Sequence, residues 1–268
     1  MMKDITIGQY YQTESPLHRL DPRVKITGTF IFIVTLFVAK NVTSYAVATA
    51  FLIAVILLSR VPFSFIVRGM KAVVIILLIT VVFNLFLTPG IPLVSFWRFR
   101  ITREGLKTAA YTAVRLTYLI IGSSIMTLTT TPNNLTDGLE SLMKPLKLFR
   151  VPVHEIAMMM SIALRFIPIL MEETDKIMKA QLSRGADFES GGIIKRSRAL
   201  IPLLVPLFVS AFRRANDLAM AMEARCYHGG EGRTKMKPLE YRGADFTAYI
   251  VLIIYFALIV AAQRVGMI

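Results

Sequence analysis

Cys226 is the single cysteine in this 268-residue chain, so no internal disulfide can staple the fold. The dipeptide Gly-Lys never occurs, which excludes the P-loop G-x-x-x-x-G-K-[ST] and its cradle for ATP phosphates. Neither G-x-S-x-G nor H-E-x-x-H is present. The three histidines, His18, His154 and His228, lie far apart with no acidic cluster at metal-ligand spacing. They read as solvated or capping residues, and no metal or other cofactor is expected. Cys226 has no candidate base beside it and reads as a small packing residue rather than a nucleophile.

Acidic residues are also missing where the chain is most apolar. Five apolar runs are long enough to span a bilayer, or nearly so: Ile26–Ala39, Tyr45–Leu58, Ala72–Leu87, Ala109–Leu128 and Phe246–Ala262. None contains a carboxylate. Ion-coupled carriers usually keep an Asp or Glu in the membrane, so the absence argues against a stand-alone secondary transporter. Asn84 and Arg115 are the prominent polar groups in the runs. Asn84 reads as a helix–helix hydrogen bond and Arg115 as a snorkelling side chain.

What is present in excess is apolar and basic character. The chain is 55% hydrophobic, with a mean hydropathy of +0.60. The net charge is +14 and the pI about 10.1. No strip of interleaved basic and aromatic residues suggests nucleic acid. Basic residues instead border the apolar runs, as the positive-inside rule requires of a protein in a lipid bilayer. Continuous rather than alternating apolarity predicts helices, not barrel strands. The fold class is therefore an all-α integral membrane protein with about five transmembrane helices and a cytoplasmic domain of long amphipathic helices.

Residues 1–25 are polar, with Asp4, Glu14 and Asp21, and no cleavable signal is expected there. The first two runs are separated by "KNVTS", a tight turn, and form a hairpin. His18, Arg19, Arg23 and Lys25 before the first span, and Arg60, Arg68 and Lys71 after the second, place these ends inside the cell. Five spans then leave the C-terminus outside. The segment "FWRFRITREGLK" (96–107) faces out on this topology despite four basic residues. Three regions follow: 1–128, the N-terminal segment and four transmembrane helices; 129–245, a cytoplasmic helical region; and 246–268, the final transmembrane helix.

The middle region mixes apolar and charged residues. A cap at Thr131 or Asn133 opens an amphipathic helix. A second helix runs from about Val153 to Arg184, kinked at Pro168, and stops at Gly185 or at the Gly191-Gly192 pair. A third runs from about Ile193 to Arg225 or Tyr227, bent by Pro202 and Pro206. Its apolar stretch "ALIPLLVPLFVSAF" (199–212) is short for a span, as is "IAMMMSIALRFIPILM" (156–171) with Arg165 inside it. Two further spans here are the alternative.

Both long helices end on an arginine between small residues: Ser183-Arg184-Gly185 and, forty-one positions on, Ala224-Arg225-Cys226. A cation at a helix C-terminus is favourable by about 0.3–1 kcal/mol, which explains one such triplet with any Lys or Arg. Two triplets ending consecutive helices point to two similar pockets on two similar partners. Small flanks clear room for a partner to close around the planar guanidinium, whose fork binds carboxylates or helix-end carbonyls bidentately. Met158, Met159, Met160, Met171 and Met178 on the first helix and Met220 and Met222 on the second fit ordinary packing. They also fit an adaptable surface serving several partners.

The paired triplets, together with "SPLHRLDPRVK" (15–25) leading into the first span, resemble the T component of energy-coupling factor transporters, the EcfT family. The likeness covers essentially the whole chain. Cys226 departs from it, since the family more often has glycine there. The resemblance implies a non-catalytic coupling subunit between two ABC-type ATPases (EcfA and EcfA′) and a membrane-embedded, substrate-binding S component for a vitamin or metal ion. It implies that Ser183, Arg184, Gly185, Ala224, Arg225 and Cys226 dock the ATPases. The upper surface of the helices would carry the S component, with the seven methionines as candidates. A stand-alone secondary transporter is the competing reading, and a polytopic membrane enzyme lacks any catalytic constellation.

Overall fold

Asp21-Pro22 carries the local signals that start the first helix. Asp21 is the N-cap, its side chain accepting the Arg23 N–H, and Pro22 takes the first helical position, where an N–H is not needed. The computed structural model of the chain describes residues 10–71, 73–96, 99–188, 192–230, 232, 234 and 236–265. Its helices are α1 (Pro22–Val38), α2 (Val42–Ser59), α3 (Phe63–Lys71), α4 (Val74–Leu87), α5 (Arg103–Thr129), α6 (Pro132–Met143), α7 (Val153–Ser183), α8 (Ile193–Ala224) and α9 (Gly243–Val265). A 3-10 turn, Lys144–Phe149, precedes α7. The fold class is all-α, with one exception among the described residues: β1 (Pro92–Phe96), leading into the basic 96–107 segment, and β2 (Phe99–Thr102), within it, pair as a short antiparallel ribbon. Trp97 and Arg98 of that segment, Ala72 at the start of the third apolar run, and Gly191 lie outside the described residues.

Five helices are long and apolar enough to cross a membrane, but they are not the five expected. They are α2, α5, Val153–Ser183, Arg198–Ala224 and Gly243–Arg264. The first and third apolar runs form helices of only 17 and 14 residues. The two stretches that looked too short belong to helices of 31 and 32 residues, because Pro168, Pro202 and Pro206 stay within the helices.

The chain divides into two compact units, residues 1–142 with 239–268, and residues 143–238. In the first, α1, α2, α5 and α9 surround a core of Phe32, Leu36, Ala48, Leu52, Ile121 and Ile259. Aromatic contacts tie it together: Phe51 stacks on Tyr255 at 4.1 Å, and the Tyr255 hydroxyl meets Thr35 Oγ1 at 2.8 Å. Gly122 is required by packing, since a Cβ there would lie 2.6 Å from Phe32. Around this core the surface is apolar: Phe30, Phe37, Leu57, Ile75 and Ile253 are all exposed, as side chains facing lipid are.

Arg115 does not snorkel. Its Nε donates to the Tyr45 hydroxyl at 3.1 Å, and a terminal nitrogen reaches the Ala39 carbonyl that α1 leaves unpaired at its end. The Asn84 amide nitrogen donates to Thr80 O on its own helix, and among the described residues it makes no interhelical bond. Thr131 is the cap of α6, accepting from Asn134 N–H.

The segment 15–25 is a clamp. His18 Nε2 donates to the Tyr11 carbonyl at 3.1 Å, which fixes Nδ1 as acceptor of the Ser15 hydroxyl at 2.7 Å. Lys25 Nζ donates to the carbonyls of His18 and Thr129. Arg23 forks onto both Asp21 oxygens and lies over the Tyr241 ring, 3.7 Å from its centroid. Burial alone would raise the Asp21 carboxyl, but the Arg23 bonds and charge outweigh it and hold it below the ordinary value of 3.8.

Candidate coupling site

In the second unit, α7 and α8 end in the same way, atom for atom. Arg184 and Arg225 are the C-caps, with φ, ψ of −89°, 6° and −95°, 16°. The next residues, Gly185 and Cys226, turn left-handed at φ 84° and 54°. Gly185 N–H donates to Leu182 O and Ala186 N–H to Gln181 O, both at 3.0 Å. Cys226 N–H donates to Glu223 O at 2.8 Å and Tyr227 N–H to Met222 O at 3.0 Å. These are the 5→2 and 6→1 bonds of a Schellman motif, present twice. The third residue of each triplet therefore has a backbone reason to be small: glycine adopts positive φ without penalty, and Cys226 adopts it at a cost.

All six triplet residues are exposed. Ser183 turns its hydroxyl back to the Lys179 carbonyl at 3.1 Å. Nothing lies within 4 Å of where a Gly185 Cβ would be, so the space beside Arg184 is open. The triplets thus present two guanidinium groups on two structurally equivalent helix tips.

The helices are fastened to each other. Arg214 donates to Glu173 Oε2 at 2.8 Å, and the Ser210 hydroxyl binds the other carboxylate oxygen. Farther along, Gln181 Nε2 donates to the Pro202 carbonyl at 3.3 Å. That carbonyl is free because Pro206, four residues on, has no N–H to offer it. The pairings 173 with 214 and 181 with 202 make the helices antiparallel. Arg184 and Arg225 therefore mark opposite ends of the pair, separated by about 35 Å at the helical rise of 1.5 Å per residue.

The methionines do not form one exposed face. Met158, Met160, Met171, Met178 and Met222 are half-buried, and only Met159 and Met220 are exposed. A continuous apolar stripe is exposed instead on α8: Ile201, Leu204, Val205, Phe208, Val209 and Phe212. The stripe lines an open groove with Arg213 and Asn216 and continues at four-residue steps through Asn216 to Met220. Its three- and four-residue spacing is readable in "ALIPLLVPLFVSAF".

Residues 13–236 match the model of the family described as cobalt transport protein, CbiQ. The chain is 54% identical over 256 residues to the energy-coupling factor transporter transmembrane protein EcfT of Clostridium kluyveri, covering 95% of each chain. The EcfT of Thermosediminibacter oceani is 55% identical over 249 residues, covering 93% of this chain and 94% of its own. That of Bacillus subtilis is 49% identical over 260 residues, 97% of this chain and 98% of its own. The chain belongs to the EcfT family. It is a multi-pass membrane protein, the transmembrane component of an energy-coupling factor transporter.

Proposed function

We propose that the protein is the non-catalytic coupling subunit of an energy-coupling factor importer. It joins two ABC-type ATPases to an S component that brings a vitamin or a metal ion into the cell. The observation that supports this most is the duplicated helix end. Two guanidinium groups on identical backbone frames, about 35 Å apart, suit two equivalent grooves on two similar ATPases. Region 129–245 then faces the cytoplasm, and α7 and α8 lie along the membrane surface rather than across it. Ser183 and Ala224 keep the approach to each arginine clear, and Gly185 and Cys226 set its angle.

The S component is the occupant that suits the apolar stripe of α8, with Met159 and Met220 as the flexible exposed neighbours. A membrane-embedded partner brings an apolar surface of its own. ATP-driven motion enters at the two tips, and the Glu173–Arg214 bridge passes it between the helices. The substrate is set by the S component.

Uptake of substrate in cells, beside pull-down of the ATPases, tests the reading at Arg184 and Arg225. Single Ala variants should leave the complex assembled but poorly coupled. Lys variants should not restore uptake, because lysine keeps the charge and loses the fork. The double Ala variant should lose assembly or uptake almost completely; normal uptake in it ends the proposal. A stand-alone carrier, by contrast, would bind substrate as the purified single chain.

A further inference from the structure

In the first unit a cleft of about 320 Å³ opens between the beginnings of α1 and α9 and the ends of α2 and α5. Its volume is at the lower end of the range for ligand sites, about 300–1,000 Å³. The walls are apolar, from residues such as Leu20, Phe32, Leu52 and Met126, with threonines among them. Part of its rim belongs to the apolar outer surface, where Leu58 and Val251 of its lining are exposed. The four helix ends around it share one side of the unit, the side that the basic flanks assign to the cytoplasm.

One charged residue lines this cleft, Lys25. Its ammonium has three N–H donors, and two are used, on His18 O and Thr129 O. The third has no partner among the described residues. A half-buried cation with a donor left over, at the polar end of an apolar cleft whose rim joins the apolar outer surface, is complementary to a molecule with a long apolar tail and an anionic head.

We propose that this cleft is a binding site for an anionic phospholipid of the cytoplasmic leaflet, one acyl chain lying between α2 and α9 and the headgroup phosphate taking the free N–H of Lys25. A zwitterionic lipid fits the same walls but brings its own ammonium to the Lys25 end, where it is repelled. An inorganic anion fits the ammonium but leaves the apolar walls uncovered. Neither explains cleft and cation together.

The full chain, purified in detergent and titrated with phosphatidylglycerol or phosphatidylethanolamine, gives the test by native mass spectrometry. Phosphatidylglycerol should be retained about tenfold more strongly. Lys25→Gln should remove that preference while leaving some binding of both lipids. Ala248→Phe, which puts a bulky ring into the cleft from α9, should abolish retention of both; circular dichroism confirms that it is folded. Equal retention of the two lipids by the unaltered chain overturns the proposal. So does undiminished retention in folded Ala248→Phe, or displacement of bound lipid by millimolar inorganic phosphate, which would make the site one for a free anion.

Discussion

The carboxylate of Asp245 accepts the backbone N–H of Asp21 at 2.8 Å, across 224 residues of sequence. Its other oxygen accepts Arg242 N–H at 2.7 Å, the reciprocal half of a capping box at the start of α9. One buried side chain thus caps its own helix and satisfies the residue that caps α1. Asp245→Ala leaves two N–H groups without an acceptor. Bonds to a charged group are worth about 1.5–3 kcal/mol each before neighbours relax, so a loss of about 2–4 kcal/mol is expected. Asp245→Asn keeps one carbonyl oxygen and should lose about half as much. Thermal unfolding in detergent measures both, and faster amide exchange at Asp21, Arg23 and Val24 should accompany the loss. An Ala variant as stable as the unaltered chain refutes the dual cap.

Gly185 and Cys226 hold the same left-handed position, and their substitutions should move stability in opposite directions. A side chain in that conformation costs about 1–2 kcal/mol, partly offset by the entropy that a glycine loses on folding. Gly185→Ala should therefore destabilise by about 1 kcal/mol, and Cys226→Gly should stabilise by up to the same amount. Melting temperatures of the two variants decide it; the reverse order of stability would show that the left-handed turn is not what governs these positions.

Local signals account for what the chain reveals unaided. Arg184 and Arg225 are visible because helix, arginine, turn and small neighbours all fall within a few consecutive letters. The Thr131 cap is visible for the same reason. The Asp21–Asp245 bond is invisible, since each aspartate looks like an ordinary acid at a helix start and nothing links two positions so far apart. The tyrosine and carbonyl that receive Arg115 come from two other helices, so an isolated span could offer only snorkelling. The bounds of α7 and α8 are legible too, since glycines and the arginine triplets mark their ends; what the charged residues and Pro168, Pro202 and Pro206 obscure is that each carries a stretch long and apolar enough to cross a membrane. An exposed or compensated carbonyl, such as that of Pro202 held by Gln181, lets a proline stay inside a helix.

The N-terminal clamp should loosen in mild acid. Burial holds the His18 imidazole below its ordinary 6.5; the Tyr11 carbonyl opposes this and the nearby Lys25 charge adds to it. A histidine with a lowered folded-state pKa binds fewer protons folded than unfolded. Stability then rises with pH across the window, and it is lost as pH falls through 6.5 toward the folded value. Asp21, lowered from 3.8, acts in the same direction but only in stronger acid. Between pH 7.5 and 5.5 the melting temperature of the unaltered chain should fall more than that of His18→Gln. Parallel slopes would remove His18 from the account.

The bridge from Glu173 to Arg214 separates holding the ATPases from moving with them. It ties α7 to α8 well away from either tip, so Glu173→Ala leaves both arginines on intact Schellman ends. The pair is partly exposed, at 21% and 40%, and is worth at most about 1 kcal/mol, too little to unfold the unit. A coupling free energy of that size corresponds to roughly fivefold. Uptake should therefore drop about fivefold in Glu173→Ala, with ATPase pull-down unchanged. Arg214→Ala should do the same, and the double variant should be no worse than either single one, because both remove one shared interaction. Pairing Glu173→Ala with Gln181→Ala should deepen the defect, since Gln181 holds a separate point on α8. If uptake and pull-down fall together in Glu173→Ala, the bridge maintains the docking surface itself and does not relay motion between the helices.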